Sequence, residues 1–339
     1  MYLESIANAF PDQTFTQREC WEAMQSAGIS SQLKPRSVRL LEKVLTGDGG
    51  ISTRRFALDR VEDAFGKDAE QLNRTFEREA PKLSVDALIR ALEGAGLEAG
   101  EIDALFVCTC TGYLCPGVSS YVSEQLGMRE NAYLQDLVGL GCGAAIPTLR
   151  SADAFLTANP TARVAVIAVE ICSAAFFVSD DPGVLISLCL FGDGASASIW
   201  SGEEAEGKPR CGGFDTVHVP QEREKIRFIN SGGKLCNQLH KSVPGLAADA
   251  VTKLFKRSGS EADQIIAHTG GRDVVEAIEA QLPAYYLGET REVLLNYGNL
   301  SSPSVLVALE TRLPKKRGEN LWLTAFGAGF AAHSCSISS

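Results

Sequence analysis

The spacing of apolar residues changes once along the chain, near residue 100. Before that point, apolar positions recur at helical intervals in segments rich in Glu, Arg, Leu and Ala. This spacing predicts four helices, at residues 17–28, 36–46, 61–66 and 69–93. After it, residues 102–110 form a continuous apolar run, which is typical of a strand buried on both faces. Residues 163–171 have the same character and predict a second buried strand.

The segment between these two strands predicts a Gly-rich turn at 139–143, followed by a helix to about residue 158. Residues 188–200 predict a strand that is broken by a turn and then resumes. The stretch 201–210 (SGEEAEGKPR) is polar and contains Gly and Pro, so it is the best candidate boundary. We therefore expect two units, 1–205 and 206–339.

The second unit repeats the alternation of strands and helices. It predicts a strand at 264–268, helices at 273–282 and from about 299 to 312, and strands around 321–337. Alternation of this kind predicts a predominantly parallel sheet that is covered by helices.

The two units also share a local pattern. Each has a turn of small residues that opens a helix, at 139–145 and 298–303. Each then has a late pair of strands around a Gly-rich turn, at 191–194 and 326–329. The sequence therefore predicts an α/β fold built from two similar halves.

Composition narrows the class of protein. The chain has 339 residues, of which 45% are apolar and 22% charged, as in an ordinary globular protein. Its formal net charge of −10 argues against nucleic acid or an anionic membrane as the main partner. No apolar run approaches the roughly 20 residues that cross a bilayer, and the first residues lack the pattern of a signal peptide.

The ten cysteines also bear on the compartment. Most lie in apolar runs, where a thiol behaves as a small buried hydrophobe, so we expect reduced cysteines and a cytoplasmic protein. Cys108, Cys110 and Cys115 lack the spacing and the further ligands of a metal site, and we expect no bound metal.

Cys142 is the first candidate for chemistry. It lies among glycines and alanines at a predicted helix start, where the helix terminus lowers the pKa of a thiol and stabilises the nucleophilic thiolate. The alternative is a small buried residue in a tight turn. Gly139, Gly141 and Ala144 also fit the dinucleotide-binding pattern G-x-G-x-x-G/A, but the acid that ends the next strand, Glu170, lies too far along the chain.

His268 and Asn299 are further candidates. His268 ends an apolar strand and precedes Thr-Gly-Gly, a position where α/β sheets place functional groups, although a structural histidine fits equally well. Asn299, followed by Leu-Ser-Ser-Pro, is a good local helix start. The internal repeat nevertheless places Asn299 opposite the helix of Cys142, so it could face the thiol.

Four segments together resemble a known family. They are 267–271 (AHTGG), 290–303 (TREVLLNYGNLSSP), 190–195 (LFGDGA) and 141–142 (GC). In the order in which they occur along the chain, these segments are similar to those of the type III polyketide synthases, the chalcone synthase-like branch of the thiolase superfamily. The resemblance extends over nearly the whole chain from about residue 30. The resemblance implies a thiolase fold with mixed, mostly parallel sheets between helices, a homodimer, CoA thioesters as substrates and no permanently bound cofactor.

The resemblance also implies roles for single residues. Cys142, His268 and Asn299 would form the catalytic triad: Cys142 takes the acyl starter, and the other two stabilise the enolate formed as malonyl-CoA loses carbon dioxide. Phe191 matches the aromatic gatekeeper, and Ser301 belongs to the same substrate site. The family binds CoA phosphates through basic residues at the tunnel mouth, which Arg36, Arg39 and Lys43 match on one helix face.

Several positions depart from the plant enzymes. Asn237 replaces a second gatekeeper phenylalanine, Phe228 replaces a cavity glycine, and Cys115 replaces a methionine that crosses the dimer interface. The triad is intact, but these changes remove any basis for a chalcone synthase. The Phe228 ring takes up more space than the change to Asn237 restores, so we expect a smaller cavity. A smaller cavity predicts short products with one to three extensions, or an elongated starter.

Two rival hypotheses remain. A ketoacyl-acyl carrier protein synthase III-like enzyme would share the triad, make one condensation and take an acyl carrier protein as partner. A catalytically silent thiolase-fold subunit would be expected to have lost a triad residue, and this chain has lost none.

Overall fold

A long mixed sheet with helices on both faces organises the computed structural model, which describes residues 1–204, 207–259, 261–313 and 318–338. The strands are β1 (Tyr2–Ala9), β2 (Thr14–Thr16), β3 (Thr53–Arg55), β4 (Ala104–Cys108), β5 (Tyr133–Leu137), β6 (Arg163–Glu170), β7 (Gly194–Ser201), β8 (Arg210–His218), β9 (Ile226–Ser231), β10 (Lys234–Leu239), β11 (Gln264–Ala267), β12 (Asn320–Gly327) and β13 (Ala331–Ser338).

The helices separate these strands. They are α1 (Gln17–Ser26), α2 (Ile29–Gln32), α3 (Pro35–Thr46), α4 (Ala69–Ala95), α5 (Val118–Leu126), α6 (Ala145–Ala158), α7 (Pro182–Leu190), α8 (Val243–Ser258), α9 (Arg272–Gln281), α10 (Gly288–Tyr297) and α11 (Ser304–Arg312). Short 3-10 turns include Val61–Ala64 and Gly141–Gly143.

The strand order shows two similar halves. The sheet runs β11-β12-β13-β8-β1-β7-β6-β4-β5, and β8 meets β1 through a single residue pair, Tyr2 with Arg210. On one side of this joint, β4-β6-β7-β1 pair as parallel, antiparallel and antiparallel. On the other side, β11-β12-β13-β8 repeat that series. The prediction of two similar α/β halves is confirmed.

The apolar cores place helices in three layers around the two halves. Side chains from α6 and α11 share one core with strands of both halves, so these two helices lie in the middle. Helix α4 covers the outer face of the first half. Helices α8 and α9 cover the outer face of the second half. The starts of α6 and α11 therefore meet at the joint between the halves.

The prediction of a mostly parallel sheet is wrong in its proportion. Among the described neighbours in the long sheet, β11-β12, β6-β4 and β4-β5 are parallel, and the other five pairs are antiparallel. Strands β12 and β13 are joined by a turn that is too short for a helical crossover, so they run in opposite directions. In the first half, β7 returns antiparallel to β6 although helix α7 lies between them in the chain.

Three further predictions were wrong in part. Residues 188–190 end helix α7 and are not part of a strand; this helix is apolar on all sides, so its period was hidden. Val61–Ala64 is a 3-10 turn, and α11 begins at Ser304 because 299–302 form a turn. The predicted boundary falls between Ala205 and Glu206, which lie outside the described residues.

Candidate active site

Cys142 lies on the 3-10 turn that opens α6, close to the backbone of the second half. Gly141 has φ of +58°, and a Cβ atom there would lie 2.9 Å from the backbone nitrogen of Ala328. At Gly327, a Cβ atom would lie 2.6 Å from the nitrogen of Gly143. The small residues around Cys142 therefore permit the end of β12 to approach the nucleophile turn at backbone distance.

The sulfur of Cys142 is buried and surrounded by donors. The Ser301 hydroxyl lies 3.2 Å from it, and Cys110 and His268 lie within hydrogen-bonding reach. Hydrogen bonds from Cys110, then from the His268 side chain with its charge, and from Ser301 hold the pKa of the Cys142 thiol well below its usual range. They outweigh burial, which raises this pKa. The site favours the thiolate.

His268 follows the end of β11 and is almost fully buried. Its backbone nitrogen donates to the carbonyl oxygen of Thr324 at 2.9 Å, which continues the ladder between β11 and β12. Its ring packs edge-on against Phe326, with 5.1 Å between the ring centroids. The sheet and this aromatic contact together fix the imidazole beside Cys142.

Asn299 lies in the turn between α10 and α11 and is buried. Its backbone nitrogen donates to the carbonyl oxygen of Leu190 at 2.8 Å, and the nitrogen of Gly192 donates to its carbonyl oxygen at 3.0 Å. Its side-chain Oδ1 accepts from the nitrogen of Ser301 at 2.8 Å. The amide NH2 is therefore the part of Asn299 that can donate to a substrate.

Ser301 connects this turn to Cys142. Its φ of +58° is rare for a residue with a side chain, and Asn299 Oδ1 supports that conformation. The conformation directs the Ser301 hydroxyl towards Cys142. The local helix-start interpretation of Asn299 is therefore wrong, because its side chain bonds within a tight turn before α11 and does not cap that helix.

Glu170 is a site residue that sequence reasoning missed. It ends β6, is fully buried, and burial raises its pKa. Its carboxyl group accepts from both halves: Thr111 Oγ1 at 2.8 Å and Ser302 Oγ at 2.5 Å are two of its donors. The local signal in the sequence is an acid at the end of an apolar strand.

A small cavity opens beside this group. Phe191, Phe228, Asn237 and Ser301 all line it, together with apolar residues of α7 such as Val184. Phe228 and Asn237 are directly opposed on the β9-β10 hairpin, so both side chains are on one face. The structure thus brings the predicted cavity residues together next to Cys142.

The side chain of Asn237 is held in place by a hydrogen bond to helix α7. Its Nδ2 donates to Ser187 Oγ at 2.8 Å, and the Ser187 hydroxyl donates to the carbonyl oxygen of Gly183 at 2.7 Å. One amide donor of Asn237 is therefore committed to helix α7, and this bond ties the hairpin to the wall of the cavity.

Other predicted site residues lie elsewhere. Cys115 is exposed, lies in the loop before α5 and does not line the cavity. Arg36, Arg39 and Lys43 are exposed on α3, which packs against α7. Because α7 forms part of the cavity wall, the three cations lie one helix away from it.

Two searches of the structure concern bound ions and membranes. Within the described parts of the chain, no group of three or more His, Cys, Asp or Glu residues is arranged to hold a metal ion. No helix in these parts is both long and apolar enough to cross a bilayer.

Family models match almost the whole chain. Residues 8–218, more than half of it, match the model described as FAE1/Type III polyketide synthase-like protein. Residues 218–331 match the model of the chalcone and stilbene synthase C-terminal domain. The chain belongs to the type III polyketide synthase family.

Curated relatives agree. This type III polyketide synthase is 26% identical to the alpha-pyrone synthesis polyketide synthase-like Pks18 of Mycobacterium tuberculosis, over 97% of this chain and 87% of that protein. It is 28% identical to the 1,3,6,8-tetrahydroxynaphthalene synthase of Streptomyces coelicolor, over 95% of this chain and 88% of that protein.

Solved structures agree on the fold. The crystal structure of the Streptomyces coelicolor synthase matches with a TM-score of 0.88 at 26% identity, covering 100% of this chain and 99% of that one. The structure of PKS-I from the brown alga Ectocarpus siliculosus matches with a TM-score of 0.90 at 21% identity, covering 100% and 98%. The predicted thiolase fold is confirmed.

The predicted family and reaction are confirmed with it. This type III polyketide synthase is a condensing acyltransferase that joins malonyl-CoA, with loss of carbon dioxide, to an acyl starter taken from CoA. Its substrates are CoA thioesters, and it needs no permanently bound cofactor. The two rival hypotheses are not favoured by these relatives.

Proposed function

We propose that Cys142, His268 and Asn299 carry out this condensation. The Cys142 thiolate attacks the carbonyl carbon of the acyl-CoA starter, and the carbon–sulfur bond to CoA breaks. The CoA thiolate leaves and takes up a proton, so the acyl group remains as a thioester on Cys142. The His268 side chain stabilises the thiolate before attack.

The second step forms the carbon–carbon bond. Malonyl-CoA loses its carboxylate as carbon dioxide, and the electron pair of the broken bond becomes an enolate. His268 and the amide NH2 of Asn299 donate to the enolate oxygen. The enolate carbon attacks the Cys142 thioester, the β-ketoacyl-CoA is released and the thiolate is restored.

The observation that carries this proposal is the contact of Cys142 with Ser301, which lines the cavity, together with the neighbouring His268, which lowers the pKa of the Cys142 thiol. Purified protein should be incubated with malonyl-CoA and a panel of aryl and fatty acyl-CoA starters, with the products read by mass spectrometry. We expect starter-dependent β-keto or cyclised products. No extension of any starter, from CoA or from a carrier protein, would contradict the proposal.

The exposed cations of α3 are proposed to bind CoA phosphates. Three exposed charge contacts of about 0.5 kcal/mol each change binding by about tenfold. We therefore expect the triple change Arg36→Ala, Arg39→Ala and Lys43→Ala to raise KM for the acyl-CoA about tenfold with little change in kcat. The N-acetylcysteamine thioester of the same acyl group lacks phosphates and is the matched control. An equal effect on both thioesters would refute contact between these residues and CoA. If the enzyme normally takes its acyl group from an acyl carrier protein, these cations would instead be assigned to contact with that protein.

Phe228 is proposed to limit product length. Its ring lies in the wall of a small cavity, where it takes up space that a growing chain would need. We expect one to three extensions in the wild type and a shift to longer products in Phe228→Gly. Ile229→Gly controls for a glycine in the same strand, because adjacent strand residues face opposite sides. Products of more than three extensions from a bulky aromatic starter, unchanged by Phe228→Gly, would exclude this role.

We also propose a homodimer. Strand β5 ends the long sheet, so its outer edge has free backbone groups in the described chain, and the apolar side chains of Tyr133 and Val138 are exposed there. Pairing of two β5 edges about a two-fold axis would cover these backbone groups and the two side chains. This pairing is proposed to bring the Cys115 loop to the interface. Sedimentation of an active monomer at micromolar concentration would contradict it.

A cytoplasmic location is proposed because all ten cysteines are free thiols. Thiol titration after native isolation should find all ten reduced, whereas disulfides in the isolated protein would argue for an oxidising compartment.

A further inference from the structure

A second cysteine contacts the nucleophile. The Ser301 hydroxyl lies 3.2 Å from the sulfur of Cys142 and 3.2 Å from the sulfur of Cys110. The two sulfurs are themselves within hydrogen-bonding reach. Nothing in the condensation described above uses Cys110, although it contacts the reacting atom as His268 does.

The chain holds Cys110 in this position from both sides. Cys110 comes two residues after β4, and its backbone nitrogen donates to Glu170 Oε2 at 2.9 Å. The flanking Thr109 and Thr111 hydroxyls donate to the same oxygen at 3.2 and 2.8 Å. With the backbone and both neighbours fixed on Glu170, the Cys110 side chain lies against Cys142.

Glu170 also fixes the other half of the arrangement. Its Oε1 accepts from Ser302 Oγ at 2.5 Å and from Ser301 Oγ at 3.3 Å. One buried carboxylate thus sets the distance between the segment that carries Cys110 and the turn that carries Ser301. The cysteine thiol and the serine hydroxyl contact Cys142 from two different halves of the fold.

The protons available to the Cys142 sulfur can be counted. The Ser301 hydroxyl has one proton and three acceptors within reach: Cys142 Sγ, Glu170 Oε1 and Cys110 Sγ. If it donates to Glu170 or to Cys110, the thiol of Cys110 is left to donate to Cys142. If it donates to Cys142, the Cys110 thiol can donate to the Ser301 oxygen and strengthen that bond. In each arrangement the proton of Cys110 supports the sulfur of Cys142.

We propose that Cys110 is a positioning residue whose S–H group donates to the sulfur of Cys142, directly or through Ser301, and keeps that sulfur in its nucleophilic form. The proposal rests on the proposed role of Cys142. Cys110 is not a second acyl acceptor: its hydrogen bond to Cys142, its burial and the charge of Glu170 raise its pKa well above the usual range. A protonated thiol donates hydrogen bonds and is a poor nucleophile.

The pH dependence of Cys142 depends on every titratable group around it. His268 follows β11, Glu170 ends β6, Cys110 follows β4, and Cys172 lies in the 3-10 turn after β6. His268 lowers the pKa of Cys142, whereas Cys142 itself contributes to the raised pKa values of Glu170 and Cys172. Changing Cys110 alone leaves the other three groups in place.

The test is the pH profile of alkylation at Cys142. The rate of iodoacetamide labelling of the Cys142 peptide is measured from acidic to neutral pH for the wild type, Cys110→Ala, Cys110→Ser and the control Cys189→Ala, which removes a buried thiol from α7. We expect the midpoint to rise by about one unit in Cys110→Ala, which leaves about tenfold less thiolate at any pH below both midpoints. Cys110→Ser keeps a donor and should restore most of the shift. Cys189→Ala should not move the midpoint.

Two other outcomes would contradict the proposed role of Cys110. An unchanged midpoint in Cys110→Ala, or acyl groups found on Cys110 by peptide mapping, would overturn the proposal. Thermal unfolding checks each variant, and Cys110→Val, which keeps volume without a donor, replaces the alanine variant if that one fails to fold. A wild-type Cys142 that does not react at neutral pH would instead refute the proposed nucleophile, whatever Cys110 does.

Discussion

Replacement of Cys142 by alanine is expected to abolish transfer of the acyl group from CoA to the protein. The pKa of the Cys142 thiol is lowered, whereas burial raises the pKa of Cys172, which lines the cavity, well above its usual range. Without a thiolate nucleophile no covalent intermediate forms, and condensation should fall by at least about 1000-fold. Cys142→Ser should leave traces at most, because a hydroxyl is far less acidic than a thiol.

The acyl-enzyme is measured by intact mass after mixing with a starter acyl-CoA. Cys189→Ala serves as the matched control, since it removes another buried thiol from the same apolar cluster. Malonyl-CoA decarboxylation should persist in Cys142→Ala because His268 and Asn299 remain. A stable acyl group on a different cysteine, with full condensation, would move the nucleophile elsewhere.

The proposed triad residues could be singled out from the sequence because two of them lie in short segments with a distinctive local pattern. Cys142 is surrounded by small residues at a helix start, and His268 ends an apolar strand before two glycines. The pattern for the middle helices was equally clear, since α6 and α11 follow comparable turns in the two halves. The family resemblance then assigned roles that position alone left open.

Strand β1 shows why part of the fold could not be predicted. Its eight residues are interrupted by polar side chains and have only two fully buried positions. It is a strand because β7 pairs along its length and β8 meets it at Tyr2, and these partners lie about 200 residues away in sequence. Tertiary pairing decided the conformation here, and local propensity is a weak guide in that situation.

The contacts of Cys110 and Glu170 were hidden for a related reason. Glu170 joins Thr111 of the first half to Ser302 of the second, and no local pattern marks residues so far apart in sequence. The sequence around Cys110 shows only that its spacing from the neighbouring cysteines does not suit a metal site. Burial of a carboxyl group at the end of an apolar strand costs free energy unless several donors bind to it. An acid in this position therefore indicates that donors lie nearby.

Replacement of Asn299 by alanine should separate the two half-reactions. The amide NH2 is the donor proposed for the enolate oxygen, and removing one well-placed donor of this kind costs on the order of 100- to 1000-fold in rate. We therefore expect malonyl-CoA decarboxylation to fall by that factor while Cys142 is still acylated. His268→Ala should slow both steps, because the imidazole serves the thiolate and the enolate alike.

Asn299→Ala also affects Ser301, and this second effect must be measured separately from the loss of the amide donor. Asn299 Oδ1 accepts from the nitrogen of Ser301, so its loss could also move the Ser301 hydroxyl away from Cys142. Acylation of Cys142 reports that movement, because it depends on the thiolate and not on the enolate. Asn299→Asp keeps the acceptor for Ser301 and loses the NH2 donor, so it should acylate and yet decarboxylate slowly. Carbon dioxide release and acyl-enzyme formation are measured on the same preparations. Equal decarboxylation rates in the wild type and both variants would remove Asn299 from the enolate step and leave it only the role of shaping the turn around Ser301.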